Sequence, residues 1–229
     1  MIGRLNGTDE AAAAEALERL VRRYWPAVYA YIRRTGRDVH QASDLTQAFV
    51  AEVVLHRGLL HGADPARGRL RHLLSAALRN FLCEAQRHRA RLKRVPVGNR
   101  LVGLEDAAEP PSTGDADSPE RAFDAAWCRS LVHSVLQRVQ EECTRDELIV
   151  HWAVFEARVV QPVLHGAEPT PYEEISRRLG LGSPAQAANL LLTVKRRFQR
   201  ALRVEIAATV SDPGEVDAEL ADILRHIDG

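Results

Sequence analysis

The sequence is poor in aromatic residues, which make up 5% of its 229 residues, and it has only three cysteines. β-Branched residues are also scarce, and apolar and polar residues never alternate for long, which argues against a β-sheet. The cysteines, Cys83, Cys128 and Cys143, are widely spaced and form no C-x-x-C pair. Neither a disulfide framework nor a metal site is therefore expected, and no motif calls for a cofactor.

Long hydrophobic runs are missing as well. No segment approaches the length of a membrane-spanning helix, and no charged-then-apolar leader opens the chain. We therefore expect a cytoplasmic protein that does not contact a membrane.

Ala, Leu, Glu and Arg are abundant, and 45% of the residues are hydrophobic. Apolar residues recur at helical spacing, for example at Tyr24, Val28 and Ile32 and again at Leu45, Phe49 and Val53. Such a composition and period are typical of helices with one buried face. The sequence thus predicts an all-α fold.

The formal net charge is zero, but the charges are segregated along the chain. Only Glu84 opposes the basic residues at 67–100, and no acidic residue occurs at 177–203. An acidic stretch separates these two blocks, and an acidic tail follows the second. One charge run is usually a solvated helix face, but two basic blocks on separate helical units favour contact with a polyanion at two places.

Residues 95–117 are rich in proline, glycine and small polar residues and show no helical period. We predict a flexible acidic linker there. The predicted organisation is a helical domain at 1–94, a second helical domain at 118–206 and an acidic C-terminal helix at 207–229.

Two helix starts follow each other late in the second predicted domain. Thr170 is expected to cap the first helix, with Pro171 at its first position and Glu173 completing a capping box. Ser183 is expected to cap the next helix, with Gln186 in the corresponding place. The glycines at 180 and 182 would form the turn between them.

The last of these helices has an apolar face and a polar one. Apolar residues from Ala187 to Leu202 are expected to face the core, and a neighbouring polar stripe is expected to face outward. Gln and Asn amides can form paired hydrogen bonds with an adenine edge, and arginines can reach phosphates. The pattern therefore predicts DNA binding, although many αα-hairpins bind nothing.

Three motifs in this order resemble a known family. The stretch at 24–54 contains D-L-x-Q at Asp44, Leu45 and Gln47, and "RGRLRHLLSAALRNFL" contains R-N at Arg79 and Asn80. "YEEISRRLGLGSPAQAANLL" followed by "RRF" is similar to the family's helix-turn-helix. From about Leu17 to Ile206 the chain resembles an extracytoplasmic-function sigma factor of the sigma-70 family, in its planctomycete-like form.

The resemblance implies a transcription initiation factor that catalyses no covalent step. Its partners would be promoter DNA and core RNA polymerase, through the largest-subunit coiled coil and the flap, with an anti-sigma protein as a further potential partner. The polymerase-binding residues implied are Asp44, Leu45 and Gln47. Those implied for the downstream promoter element are Arg67, Arg69, Arg71, Asn80, Arg87, Arg89 and Arg91, and those for the upstream element are Gln186, Asn189, Thr193, Arg196, Arg197 and Arg200.

Three departures from the family pattern concern the DNA contacts. The turn at 180–182 is one residue longer than usual, and Ala187-Ala188 replaces a β-branched residue and a base. The downstream loop also lacks bulky aromatic residues, so that His72 or arginine planes would have to stack on a flipped base.

Two other classes of function remain open. A polymerase-independent DNA-binding regulator would need only the second domain, but it leaves the D-L-x-Q helix and the first basic helix unexplained. An enzyme would need catalytic side chains that face one site. The adjacent carboxylates Glu141-Glu142 and Glu173-Glu174 point in different directions around a helix and so do not form such a pair. No phosphate-cradling glycine loop or H-E-x-x-H motif occurs, so enzymatic activity is not expected.

Overall fold

The computed structural model describes residues 10–56, 59, 69–93, 118–210 and 212–227. Every regular element in these ranges is helical, which confirms the predicted all-α class. The predicted linker at 95–117 and residues 61–68 of the downstream loop, which was predicted at 61–71, lie outside the described residues. Among the helices described, none combines the length and the hydrophobicity needed to cross a membrane.

The chain divides into two compact units. The first unit is Met1–Ser130 with Thr209–Pro213, and the second is Leu131–Ala208 with Gly214–Gly229. The division falls inside a long helix, Pro119–Arg145, whereas the second predicted domain begins at residue 118. The first twelve residues of that helix therefore belong with the first unit.

Within the described residues, the first unit contains three helices and the first half of a fourth. They are α1, Glu10–Arg34, α2, Val39–Phe49, α3, Leu70–Lys93, and α4, Pro119–Arg145. Pro26 lies inside α1 without ending it. Asp38 caps the start of α2, since its carboxylate accepts the Gln41 N–H at 2.8 Å. A wider π-helical turn, Val50–His56, continues α2.

Aromatic contacts explain why the start of α4 belongs to the first unit. The rings of Tyr24 and Trp127 stack with centroids 3.6 Å apart, and both side chains are buried. Phe123 meets the ring of Tyr31 edge-on, and the Tyr31 hydroxyl donates to Glu120 at 2.9 Å. Each such ring pair adds about 0.5–1.5 kcal/mol beyond the area it buries. These contacts tie the first turns of α4 to α1.

The second unit contains the second half of α4 and the remaining elements. These are α5, Ile149–Phe155, a π-helical turn, Glu156–Val160, α6, Gln161–His165, α7, Tyr172–Leu179, α8, Pro184–Ala207, and α9, Val216–Ile227. A short 3₁₀ turn, Pro213–Glu215, precedes α9. Of the segment at 207–229 predicted as an acidic C-terminal helix, α9 covers Val216–Ile227, and its Ile223 is fully buried.

The core of the second unit lies between α5, α7 and α8. Val154, Ile175 and Ala187 form its centre, and the rings of Phe155 and Phe198 lie 5.8 Å apart. Ile149 does not line this core, because it is 64% exposed. It occupies the first turn of α5, whereas the buried residues of that helix are Val154 and Phe155 near its end.

A candidate nucleic-acid interface

The connection between α7 and α8 fixes where the polar side of α8 begins. Gly180 ends α7 with a φ of +66°, a left-handed conformation that glycine adopts without strain. The Ser183 hydroxyl then accepts the Gln186 N–H at 3.2 Å, which confirms Ser183 as the cap of α8. The Gln186 side-chain carbonyl in turn accepts the N–H of Gly182 at 2.8 Å. The Gln186 amide therefore closes the turn as well as facing outward.

The predicted start of α7 is wrong by about one residue. The helix begins at Tyr172, and Pro171 precedes it in an extended conformation without a side-chain cap. Thr170 does not cap; its carbonyl oxygen accepts a hydrogen bond from the Arg158 guanidinium at 2.9 Å. Arg158 also lies over the Tyr172 ring, 4.4 Å from its centroid, and so holds the segment before α7 against the π-helical turn.

Polar residues of α8 form an open surface on the side away from the core. Asn189, Thr193, Arg196 and Arg200 are all exposed, as is Gln186. At 3.6 residues per turn these positions fall within an arc of about 100°. The opposite face is fixed by the buried residues Ala187, Val194 and Leu202. We call this exposed set the α8 stripe.

Arg197 belongs to the same arc, but its side chain is engaged elsewhere. Its guanidinium donates to the Asp146 carboxylate at 2.5 Å, and only 27% of the side chain is exposed. Hydrogen bonding to Asp146 raises the pKa of Arg197 above its ordinary value, against an opposing effect of burial. The expectation that Arg197 points outward to a phosphate is therefore corrected. No sequence signal connects these two residues, which are 51 positions apart.

The end of α3 forms a second basic surface. Asn80, Arg87 and Arg91 are exposed and share one helix face, as 3.6 residues per turn requires. Arg89 is exposed too, but it projects from the other side of the helix. Every residue from 86 to 91 is exposed. Glu84 lies on the same face of α3 as Asn80, and its negative charge opposes the positive charge of Arg87 and Arg91.

Arg71 does not belong to this surface, which corrects a second expectation. It lies on the same side of α3 as Leu74 and Leu78, so it faces the interior, and its side chain is only 4% exposed. The guanidinium instead pairs with Asp124 of α4 at 3.1 Å. Arg69 is half-buried just before α3, and Arg67 lies outside the described residues.

The D-L-x-Q element divides between surface and core. Asp44 and Gln47 are exposed three positions apart on α2, so their side chains are neighbours. Leu45 is only 9% exposed and packs in the core of the first unit. Its assignment as a polymerase contact is corrected, since α2 turns this side chain inward.

The cysteines differ in exposure. Cys83 is exposed on the Asn80 face of α3, whereas Cys128 and Cys143 are buried, and all three are free thiols. Burial is the main cause that raises the pKa of Cys143. Among the residues that the structure describes, no cluster of three or more metal-ligating side chains occurs.

Comparisons of the chain with protein-family models, with curated proteins and with solved structures found no match.

Proposed function

We propose that this chain is a sigma-type transcription initiation factor, which binds core RNA polymerase and directs it to promoter DNA. The observation that carries the proposal is the α8 stripe, a set of exposed amide, hydroxyl and guanidinium groups on a helix whose other face is anchored in a core. In this proposal α7 and α8 act as a helix-turn-helix, with α8 as the recognition helix.

The order of groups along α8 fits duplex DNA. Asn189 and Thr193 lie in the first half of the helix, the part that meets base edges when a recognition helix enters the major groove. The cations Arg196 and Arg200 follow, where they can hold phosphates on either side of the groove. Base contacts would provide selectivity, and the phosphate contacts would provide affinity.

The exposed end of α3 supports a second contact with nucleic acid. The same two turns of α3 carry Arg87 and Arg91 on one side and Arg89 on the other. This arrangement is better suited to a flexible strand than to one groove of a rigid duplex. Single-strand binding requires positive charge along the backbone, together with groups that contact the bases. Asn80 and the exposed His72 are the candidates for base contact on α3.

Polymerase binding is the part of the proposal that separates a sigma factor from a stand-alone DNA-binding regulator. Asp44 and Gln47 form an exposed polar pair on α2. The decisive experiment is a pull-down with bacterial core RNA polymerase, which compares the wild type with Asp44→Ala plus Gln47→Ala. We expect the wild type to bind and the double variant to lose most of that binding.

The matched control is Gln140→Ala plus Glu141→Ala, which removes the same chemical groups from an exposed part of α4. It should bind polymerase like the wild type. If the wild type binds duplex DNA but not polymerase, with circular dichroism confirming the fold, the proposal fails in favour of a polymerase-independent regulator. Such a regulator is a better alternative than an enzyme, because it needs no interface beyond the α8 stripe.

Cys83 offers an internal reporter for the second contact. It is the exposed thiol on the face of Asn80 and Arg87, so a fluorophore attached there would sense a strand bound to α3. We expect its emission to change when single-stranded DNA is added. A response that persists unchanged in Arg87→Ala plus Arg91→Ala would remove α3 from the proposed interface.

A further inference from the structure

The ion pair between Asp146 and Arg197 engages a positive charge at the edge of the α8 stripe. The two groups are 2.5 Å apart, and their side chains are 45% and 27% exposed, so the pair lies at the surface rather than in the core. Arg196 and Arg200, the other two arginines of the arc, form no ion pair within the described residues. Arg197 thus differs from these two arginines in its hydrogen bond to Asp146 and in its lower exposure.

The local backbone holds Asp146 in place. The Leu148 N–H donates to the Cys143 carbonyl at 2.7 Å, and the Glu147 N–H donates to Thr144 at 3.3 Å. These two bonds close the end of α4, and they require a left-handed residue, here Glu147 with a φ of +58°. A left-handed conformation costs a residue other than glycine roughly 1–2 kcal/mol, so the surrounding bonds determine this turn strongly.

Helix capping does not explain an acidic residue at this position. Asp146 follows the last residue of α4, where the helix dipole carries partial negative charge and favours cations. A carboxylate there is electrostatically unfavourable unless a cation meets it. The guanidinium of Arg197 supplies that cation, so the pair is better explained by what it does to α8 than by what it does for α4.

We propose that Asp146 is an affinity-determining residue, which holds Arg197 away from the phosphates of bound duplex DNA. The inference rests on the proposed function of α8. Losing one phosphate contact weakens binding to every sequence by a similar factor, whereas the base contacts of Asn189 and Thr193 are unaffected. The ion pair therefore lowers the affinity of α8 for duplex DNA and the salt dependence of that affinity, and it leaves the sequence preference unchanged. Arg197 is a positioning residue that fastens α8 to the end of α4.

The test is a double-mutant cycle of Asp146→Asn and Arg197→Gln, measured by fluorescence anisotropy on a duplex of scrambled sequence over a range of salt concentrations. Asp146→Asn keeps the shape of the side chain and frees Arg197. At about 0.1 M salt one additional phosphate contact should tighten binding by up to about eightfold, and the plot of log affinity against log salt should steepen by about 0.9. In the Arg197→Gln background the same change should have no such effect.

Glu147→Gln is the matched control, because it removes an exposed carboxylate from the position next to Asp146. In the described structure Glu147 has no hydrogen bond or ion pair with Arg197. It should leave the salt slope unchanged. The inference is overturned if wild type binds the duplex but Asp146→Asn has the wild-type slope, or if the gain persists without Arg197. If no variant binds duplex DNA at any salt concentration, the proposed function of α8 falls and the inference falls with it.

Discussion

The pair formed by Arg71 and Asp124 allows a quantitative test of the first unit. Arg71 is 4% exposed and Asp124 is 27% exposed, and their nearest charged atoms are 3.1 Å apart. Asp124→Asn leaves the buried guanidinium without the negative charge of this partner. Removing one member of a buried pair typically costs 3–5 kcal/mol, and because Asp124 is partly solvated we expect about 2–3 kcal/mol.

Cys128 reports on this loss, because it is buried in the first unit one helical turn from Asp124. Its alkylation requires opening of that unit, so a loss of about 2–3 kcal/mol corresponds to labelling roughly 30 to 150 times faster. Cys143, buried in the second unit, is an internal reference in the same sample. Labelling can be followed separately for each thiol by mass spectrometry of the peptides.

Two controls make the result interpretable. Arg71→Met replaces the charge with an apolar side chain of similar length, so it should accelerate Cys128 labelling much less than Asp124→Asn. Glu18→Gln breaks an exposed pair with Arg22 and should change the stability by less than about 1 kcal/mol. If Asp124→Asn changes Cys128 labelling less than twofold, the buried pair does not stabilise the unit as reasoned.

Three further predictions concern single residues. Burial and, secondarily, the hydrogen bond to Glu120 raise the pKa of Tyr31. The stability that the Tyr31 hydroxyl contributes is therefore present below the unfolded pKa of about 10 and is lost as the pH rises above that value. In urea titrations Tyr31→Phe should be about 1 kcal/mol less stable than the wild type at pH 8, and this difference should shrink by pH 11. Glu147→Gly should stabilise the protein by about 0.5–1 kcal/mol, because it relieves the left-handed strain at some entropic cost, and a lower melting temperature would refute that account. Ser183→Ala should cost about 1 kcal/mol by removing the cap of α8, whereas Ser183→Asp should retain most of the stability.

The periodic features of the sequence predicted the fold well. Ser183 begins its helix as expected, and the apolar positions recognised by their helical spacing from Tyr24 to Ile32 and from Leu45 to Val53 are buried. These features depend on residues three or four positions apart, which a sequence displays directly. The start of α7 was wrong because Thr170 has the chemistry of a cap, and only the structure shows its carbonyl bound by Arg158.

Charge patterns predicted the site less well. An arginine adds the same positive charge to a basic stretch of sequence whether its side chain faces solvent or pairs with a carboxylate. Arg71, Arg87 and Arg197 are equivalent in the sequence, yet one is buried, one is exposed and one is paired at the surface. The distinguishing acids, Asp124 and Asp146, lie 53 and 51 positions away from their partners. The place of α4 was missed for a similar reason, since it depends on distant ring contacts.

The structure also changes which variant best tests sequence recognition by α8. Replacing Gln186 would remove the carbonyl that accepts the Gly182 N–H, so weaker recognition could arise from a loosened helix start. Asn189→Ala is cleaner, because no hydrogen bond of the Asn189 side chain is present in the described structure. In a selection from randomised duplexes it should lose about 1–3 kcal/mol of discrimination at one base pair, while the melting temperature stays unchanged. Gln199→Ala removes the same amide group from an exposed position that lies about 80° around α8 from Asn189 and outside the α8 stripe, so it should keep the wild-type preference. If both variants select the same sequences as the wild type, Asn189 does not contact a base.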